Sequence, residues 1–193
     1  MCWRIQRHES PENKMPFQSI LMLPAKPSPE SKQLASTSEM AESGATTSKQ
    51  TEAKGPEGAE KFPLVLYIHG GPHSIYPAEF NNFYAGFIQL GYAVLAVNYR
   101  GSIGFGEANV ESLTGHIGER DVADCMQALD YTLSTAPVER SAVFLFGGSL
   151  GGFLVTHLMA RCGDRFVAAC SRNPVINLST MAGLTDIPDW YYT

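Results

Sequence analysis

Long apolar runs are missing from this 193-residue chain. None approaches the roughly 18–20 residues that a membrane-spanning helix requires, so a membrane is not an expected partner. The first 25 residues carry charges and prolines, not the smooth apolar stretch of about 7–15 residues found in a secretion signal. Positive charge is also short. Lys and Arg number 14 against 19 Asp and Glu, a net charge of −5, and without a basic excess nucleic acid is not expected either. The four cysteines (Cys2, Cys125, Cys162 and Cys170) show no CxxC and no disulfide-scaffold spacing. They read as reduced thiols of an intracellular protein and point to neither a metal site nor a staple. Histidine is scarce too: of five, only His157 lies beyond residue 116. What is present is a 44 % hydrophobic fraction, enough for one core and incompatible with wholesale disorder.

The composition changes near residue 61. Between Lys26 and Lys61 the only large apolar residues are Leu34 and Met40. Such a stretch buries too little surface to offset its ordering entropy, so residues 26–61 are expected to form a flexible linker or loop. Residues 1–25 form a leading segment with one expected strand, 17–23, stopped by Pro24. Residues 62–193 alternate strand and helix signals. Leu64–Ile68, Tyr92–Val97, Ala142–Phe146 and Phe166–Cys170 are short apolar runs suited to strands buried on both faces. Phe80, Phe83, Tyr84, Phe87 and Ile88 recur at helical spacing, as do Val122, Cys125, Met126, Leu129 and Leu133. Phe153–Arg161 reads as a third, mostly apolar helix. This alternation predicts an α/β fold with a mostly parallel sheet and helices on both faces.

Gly147-Gly148-Ser149-Leu150-Gly151-Gly152 fits G-x-S-x-G between a predicted strand and a predicted helix. A serine on so sharp a turn needs neighbours with almost no side chain, a demand that Gly147 and Gly151 meet. The turn would present the Ser149 hydroxyl above the carboxyl edge of the sheet, with the Leu150 N–H aimed where an oxyanion forms. A Gly-rich turn that merely contains serine fits the same residues; the flanking strand and helix favour the chemical reading. Ser149 stands where a dinucleotide fingerprint needs glycine, and no G-x-x-x-x-G-K-[ST] occurs, so no cofactor is expected. His69-Gly70-Gly71-Pro72-His73 closes the first core strand. Its glycines allow a second N–H, assigned to Gly71, to turn toward the same oxyanion. His69 fits a loop-organising residue better than a proton carrier. Asn98–Gly106 is a polar, Gly-rich loop that suits a ligand crevice or a plain connection equally. Arg100 fits a place in that crevice and equally a salt bridge that holds the loop.

Together these motifs resemble the α/β-hydrolase domain of the prolyl oligopeptidase family of serine peptidases, and within it the acylaminoacyl branch. The matching pieces are His69–Ser74, Val97–Gly106, Gly147–Phe153, Ser171–Asn177 and Thr185–Trp190, in order. Phe17–Pro24 resembles the strand leading into that domain. The resemblance implies cytosolic hydrolysis of N-acylated peptides with release of an N-acyl amino acid. It also implies Ser149 as nucleophile and the Gly71 and Leu150 amides as oxyanion donors. Leu150 departs from the pattern, which usually has His or Tyr there.

A serine hydroxyl needs a base, and the base an orienting carboxylate, in the chain order Ser, Asp or Glu, His. His157 lies eight residues along the following helix, roughly 12 Å at about 1.5 Å per residue, too far to reach the hydroxyl. No triad Asp or His is therefore expected in this chain. The sheet is expected to be incomplete at the C-terminus, an amino-terminal piece of the domain, inactive alone. An unfinished parallel sheet exposes an apolar edge and favours pairing with another chain, including a homo-oligomer. A non-catalytic binding partner and another hydrolase of the same fold, such as an esterase, are the competing readings.

Overall fold

The structure is a computed structural model that describes residues 2–25 and 61–187. The expected linker lies outside the described residues except for Lys61, as do Pro188–Trp190 of the last motif. Six strands form one sheet: β1 (Cys2–Glu9), β2 (Pro16–Leu23), β3 (Phe62–Ile68), β4 (Ala93–Asn98), β5 (Val138–Gly148) and β6 (Ala168–Arg172), in the order β1-β2-β4-β3-β5-β6. β3 pairs parallel with β4 and β5, and β5 parallel with β6; β1–β2 and β2–β4 are antiparallel. The helices are α1 (Asn82–Gln89), α2 (Glu107–Glu111), α3 (Arg120–Thr135), α4 (Leu150–Cys162) and α5 (Leu178–Leu184).

Period-two alternation sends the strand side chains to two faces. Leu64, Leu66, Ile68, Leu95, Val97 and Leu145 pack with Cys125 and Leu129 of α3 and with Leu154 and Leu158 of α4. Val94, Ala96, Ile20 and Met22 meet Tyr84 and Ile88 of α1 on the other face. Each fully buried aliphatic side chain contributes about 1.5–3 kcal/mol, and the three apolar runs of β3, β4 and β5 form the centre of the sheet. The Asn81 side chain starts α1 by accepting the Phe83 N–H at 2.8 Å, the usual repair for an unpaired donor at a helix start. The chain passes from β3 to β4 on one side and returns to β5 on the other. Strand order therefore reverses at β3, and the loops after β3 and β5 flank the crevice this creates.

Two expectations need correction. The leading segment holds two strands, not one: β1 pairs along its whole length with β2. Its inward residues are Gln6 and His8, so no apolar alternation marks it. Polar bonds anchor it instead. The Ser19 hydroxyl donates to Gln6 Oε1 at 2.8 Å and accepts from His8 Nε2 at 2.9 Å, and Thr132 Oγ1 donates to Gln6 Oε1 at 3.0 Å. The fourth core strand starts two residues later than its apolar run, at Ala168, and sits on the sheet edge with Ala168, Ala169 and Cys170 exposed.

The loop after β4 is anchored in the core. Arg100 and Asp124 are both fully buried. Asp124 Oδ2 accepts from the Arg100 backbone N–H and from Nε, each at 2.9 Å, while Nη2 donates to the Arg120 carbonyl at 3.1 Å. Asn109 accepts the Gly101 N–H at 3.1 Å and donates to the Pro16 carbonyl at 2.6 Å. Asp121, one turn before Asp124, accepts the Gly118 and Val122 N–H groups, each at 2.8 Å, and its Oδ2 has no partner among the described residues. Burial pushes its carboxyl up to about 6 from the ordinary 3.8, outweighing those two bonds.

Removing one partner of a buried ion pair strands the other charge, so Arg100→Met is expected to lower stability by about 3–5 kcal/mol in urea denaturation. Adding Asp124→Asn should recover part of that loss. Asp121 holds its proton in the folded protein at pH values where the unfolded chain has released it. Its destabilising effect is therefore absent below pH 3.8 and complete above about pH 6. Asp121→Asn is expected to remove this component: relative to wild type, its urea midpoint should rise steadily between pH 4 and pH 6.

Candidate active site

Ser149 lies between the end of β5 and the first residue of α4 with φ 55° and ψ −123°. A non-glycine residue held there stores about 1–3 kcal/mol of strain and needs surroundings that over-determine it. Those surroundings are visible. The Ser149 N–H donates to the Arg172 carbonyl at 3.0 Å, and the Ser149 carbonyl accepts from Gly152, Phe153 and Val175 at 3.0, 3.2 and 3.1 Å. Both ends of the strained residue are thus tied, to β6 and to the segment after it. The serine itself is exposed, while the Leu150 side chain is buried.

The glycines around it answer to specific neighbours. A Cβ on Gly147 would overlap the Gly151 carbonyl and lie 3.0 Å from Val155 Cγ2. On Gly151 it would overlap the Ile68 carbonyl oxygen and stand 2.7 Å from that of His69. On Gly152 it would stand 2.8 Å from Pro174 Cβ. Gly70 is tight but less confined: a Cβ there would lie 3.0 Å from Ser149 Cβ and 3.5 Å from Ser149 Oγ. The end of β3 therefore runs directly against the elbow. Gly71 follows with φ 122°. Neither the Gly71 N–H nor the Leu150 N–H donates to a described residue. The structure thus brings Ser149, Leu150, Gly147, Gly151, Gly70 and Gly71 into one small region with an exposed hydroxyl and two unbonded amides. Polarised N–H groups near a hydroxyl can stabilise the negative oxygen of a tetrahedral adduct.

The histidines do not join them. His69 is buried and stacked on Tyr99 at 4.3 Å between ring centroids. Its Nδ1 donates to the Gly70 carbonyl at 2.7 Å, so Nε2 is the nitrogen that accepts the Ser102 hydroxyl at 2.8 Å. Burial holds it down to about 4. His73 Nδ1 donates to the Gly101 carbonyl at 2.8 Å. His157 sits on α4 against Phe153, its ring lowered in basicity by burial and then by Arg161. Among the described residues no histidine nitrogen hydrogen-bonds to Ser149. Nor does any group of three or more His, Cys, Asp or Glu side chains among them have an arrangement that would hold a metal.

Two contributors escape reading from sequence. Arg172 supplies the carbonyl that holds the Ser149 N–H, and its guanidinium lies over the Phe83 ring, 5.9 Å from the centroid. Asn98 clamps the loop after β3 by accepting the Tyr76 N–H at 2.7 Å and donating to the Tyr76 carbonyl at 3.0 Å. Arg172 stands within the Ser171–Asn177 motif, which marks the family but carries no local sign of contact with the serine. Because the Ile68 and His69 backbone fills the space beside Gly151, Gly151→Ala is expected to destabilise the protein by more than about 1–3 kcal/mol, the usual cost of overpacking side chains alone. A thermal midpoint unchanged by Gly151→Ala would contradict that contact.

The profile described as "Prolyl oligopeptidase family" matches residues 79–193. The acylamino-acid-releasing enzyme of Arabidopsis thaliana is 44 % identical over 142 residues, covering 74 % of this chain and 19 % of that protein. The acylamino-acid-releasing enzyme of Homo sapiens is 44 % identical over 135 residues, covering 70 % of this chain and 18 % of the other. This chain therefore spans less than a fifth of the length of these relatives. A solved puromycin-hydrolyzing peptidase of Mycobacterium tuberculosis superposes with a TM-score of 0.75 at 26 % identity, over 98 % of this chain and 25 % of that one. With a mostly parallel sheet, helices on both faces and a serine elbow at the switch in strand order, the chain has part of an α/β-hydrolase fold and belongs to the prolyl oligopeptidase family of serine peptidases.

Proposed function

We propose that the chain carries the nucleophile and the oxyanion donors of an acylaminoacyl-peptidase site. Ser149 attacks the carbonyl carbon of the N-acylated residue itself, the Gly71 and Leu150 amides receive the negative oxygen, and the rest of the peptide departs as an amine to leave the acyl-enzyme. An N-acyl amino acid leaves after hydrolysis of the acyl-enzyme. The observation that carries this reading is the exposed Ser149 at φ 55°, with Gly70 pressed against it and two unbonded amides beside it. N-acylated peptides are preferred over puromycin-like substrates because the relatives named for releasing acylamino acids are 44 % identical, against 26 % for the puromycin-hydrolyzing peptidase. Residues 62–193 form the peptidase part. A cytoplasmic setting fits the free cysteines and the absence, among the described residues, of a helix long and apolar enough to cross a membrane.

A second reading has an observation of its own. With no described histidine bonded to Ser149, the chain by itself binds acyl peptides without efficient turnover, or pairs with a chain that supplies acid and base. Loss of triad members still leaves about 10³–10⁴-fold catalysis over water from the oxyanion donors and binding. Slow but selective modification of Ser149 by a fluorophosphonate is therefore expected, with Ser149→Ala unmodified at that peptide by mass spectrometry. Equal labelling of the two proteins would refute Ser149 as nucleophile. Efficient hydrolysis of an acetyl-alanyl anilide by the 193-residue chain would refute the second reading.

A further inference from the structure

We propose that Arg172 is a carboxylate-binding residue beside the elbow, and that it takes the free α-carboxylate of a short N-acylated peptide. This rests on the acyl-peptide reading of Ser149 and deepens it. Arg172 ends β6 directly opposite Gly148, the residue before the serine. Its carbonyl is spent on the Ser149 N–H, and its guanidinium lies over Phe83 of α1, 5.9 Å from the ring centroid. The side chain is exposed and makes no ion pair among the described residues. Arg100 and Arg120, by contrast, are engaged with Asp124 and Glu12. An arginine held by a ring and not by an acid keeps its N–H fork free, and that fork matches a carboxylate with two parallel hydrogen bonds. The class of ligand follows from charge. Acylation removes the charge at the amino end of a peptide, so the full charge common to short acylated peptides is the terminal carboxylate. Ser149, Leu150 and the glycines gathered at the elbow carry no full charge, and burial holds His69 down to about 4, neutral at pH 7. Distance fits as well. One strand spacing of about 4.8 Å and one residue separate the Arg172 and Ser149 backbones, and an extended peptide advances about 3.3–3.6 Å per residue. A carboxylate one or two residues beyond the scissile bond is then within reach of Arg172 while Ser149 faces the scissile carbonyl.

N-acetyl-Ala-Ala and its C-terminal amide differ only in that charge. Titrated into the 193-residue protein and followed by NMR, the acid is expected to bind about tenfold more tightly than the amide, the worth of one charge-assisted contact. The advantage should shrink at about 1 M salt. Arg172→Met retains the backbone carbonyl that holds Ser149 and is expected to bring the two affinities within about twofold of each other. Arg172→Lys keeps the charge without the fork and is expected to fall between. The acid-to-amide ratio is read within each protein, so a loss of folded protein that affects both compounds alike cancels. Protection of Ser149 from a fluorophosphonate locates the bound acid at the elbow: in wild type the acid should slow labelling at lower concentration than the amide. No binding of the acid, equal affinities in wild type, a full preference kept by Arg172→Met, or bound acid that leaves labelling unchanged would overturn the proposal. Wild-type protein that binds the acid through Arg172 but is not labelled at Ser149 would instead overturn the nucleophile and leave the carboxylate site standing.

Discussion

The close approach of α4 to the end of β3 is the constraint on which the site depends. Gly151, in the first turn of the helix, lies against the Ile68 and His69 carbonyls, and Gly70 lies against Ser149. A side chain at Gly151 would force the helix and strand apart, and one at Gly70 would crowd Ser149. With glycine there, the helix N-terminus settles on the carboxyl end of the central strand. Ser149 is the single residue between β5 and α4, and its backbone is locked by Arg172 and Val175. Strain of this kind persists only where the surroundings impose it, and here both flanking elements contribute buried residues to the larger core cluster.

The crevice is stiffened from a second direction. The loops after β3 and β4 are stitched to each other through His69–Ser102, His73–Gly101, Asn98–Tyr76 and the backbone bond from Ile103 to Ser74. Arg100, buried against Asp124, roots the second loop in α3. A lone buried pair is weak grounds for stability, since desolvation cancels much of the attraction. Its effect here is positional: the Arg100 backbone and side chain both bind one carboxylate, which sets where the loop leaves the strand. The chain thus spends core interactions on geometry at the carboxyl edge of the sheet.

Much of this was legible in the sequence, for physical reasons that differ by element. β3, β4 and β5 are continuous apolar runs at the centre of the sheet, readable without an alignment, although only β4 is buried at every position and Tyr67, Phe144 and Phe146 stay half-buried. The elbow was readable because glycine spacing reports backbone contact directly. β1 was not, since its buried residues are Gln6 and His8 and its partners, Ser19 and Thr132, lie on β2 and α3. The register of β6 was blurred because an edge strand need not hide its apolar residues. Arg172 could not be found by side-chain reasoning at all, because what it offers Ser149 is a backbone carbonyl. The alternatives for Arg100 and His69 were posed correctly from sequence, but only distances chose between them.

The claim that two amides and one serine form a working oxyanion site is open to direct observation. A crystal structure of the protein phosphonylated at Ser149 would place a phosphoryl oxygen where the tetrahedral oxyanion stands. The account predicts that oxygen about 2.7–3.1 Å from both the Gly71 and Leu150 nitrogens. A phosphoryl oxygen turned to solvent, with both amides unbonded, would contradict it.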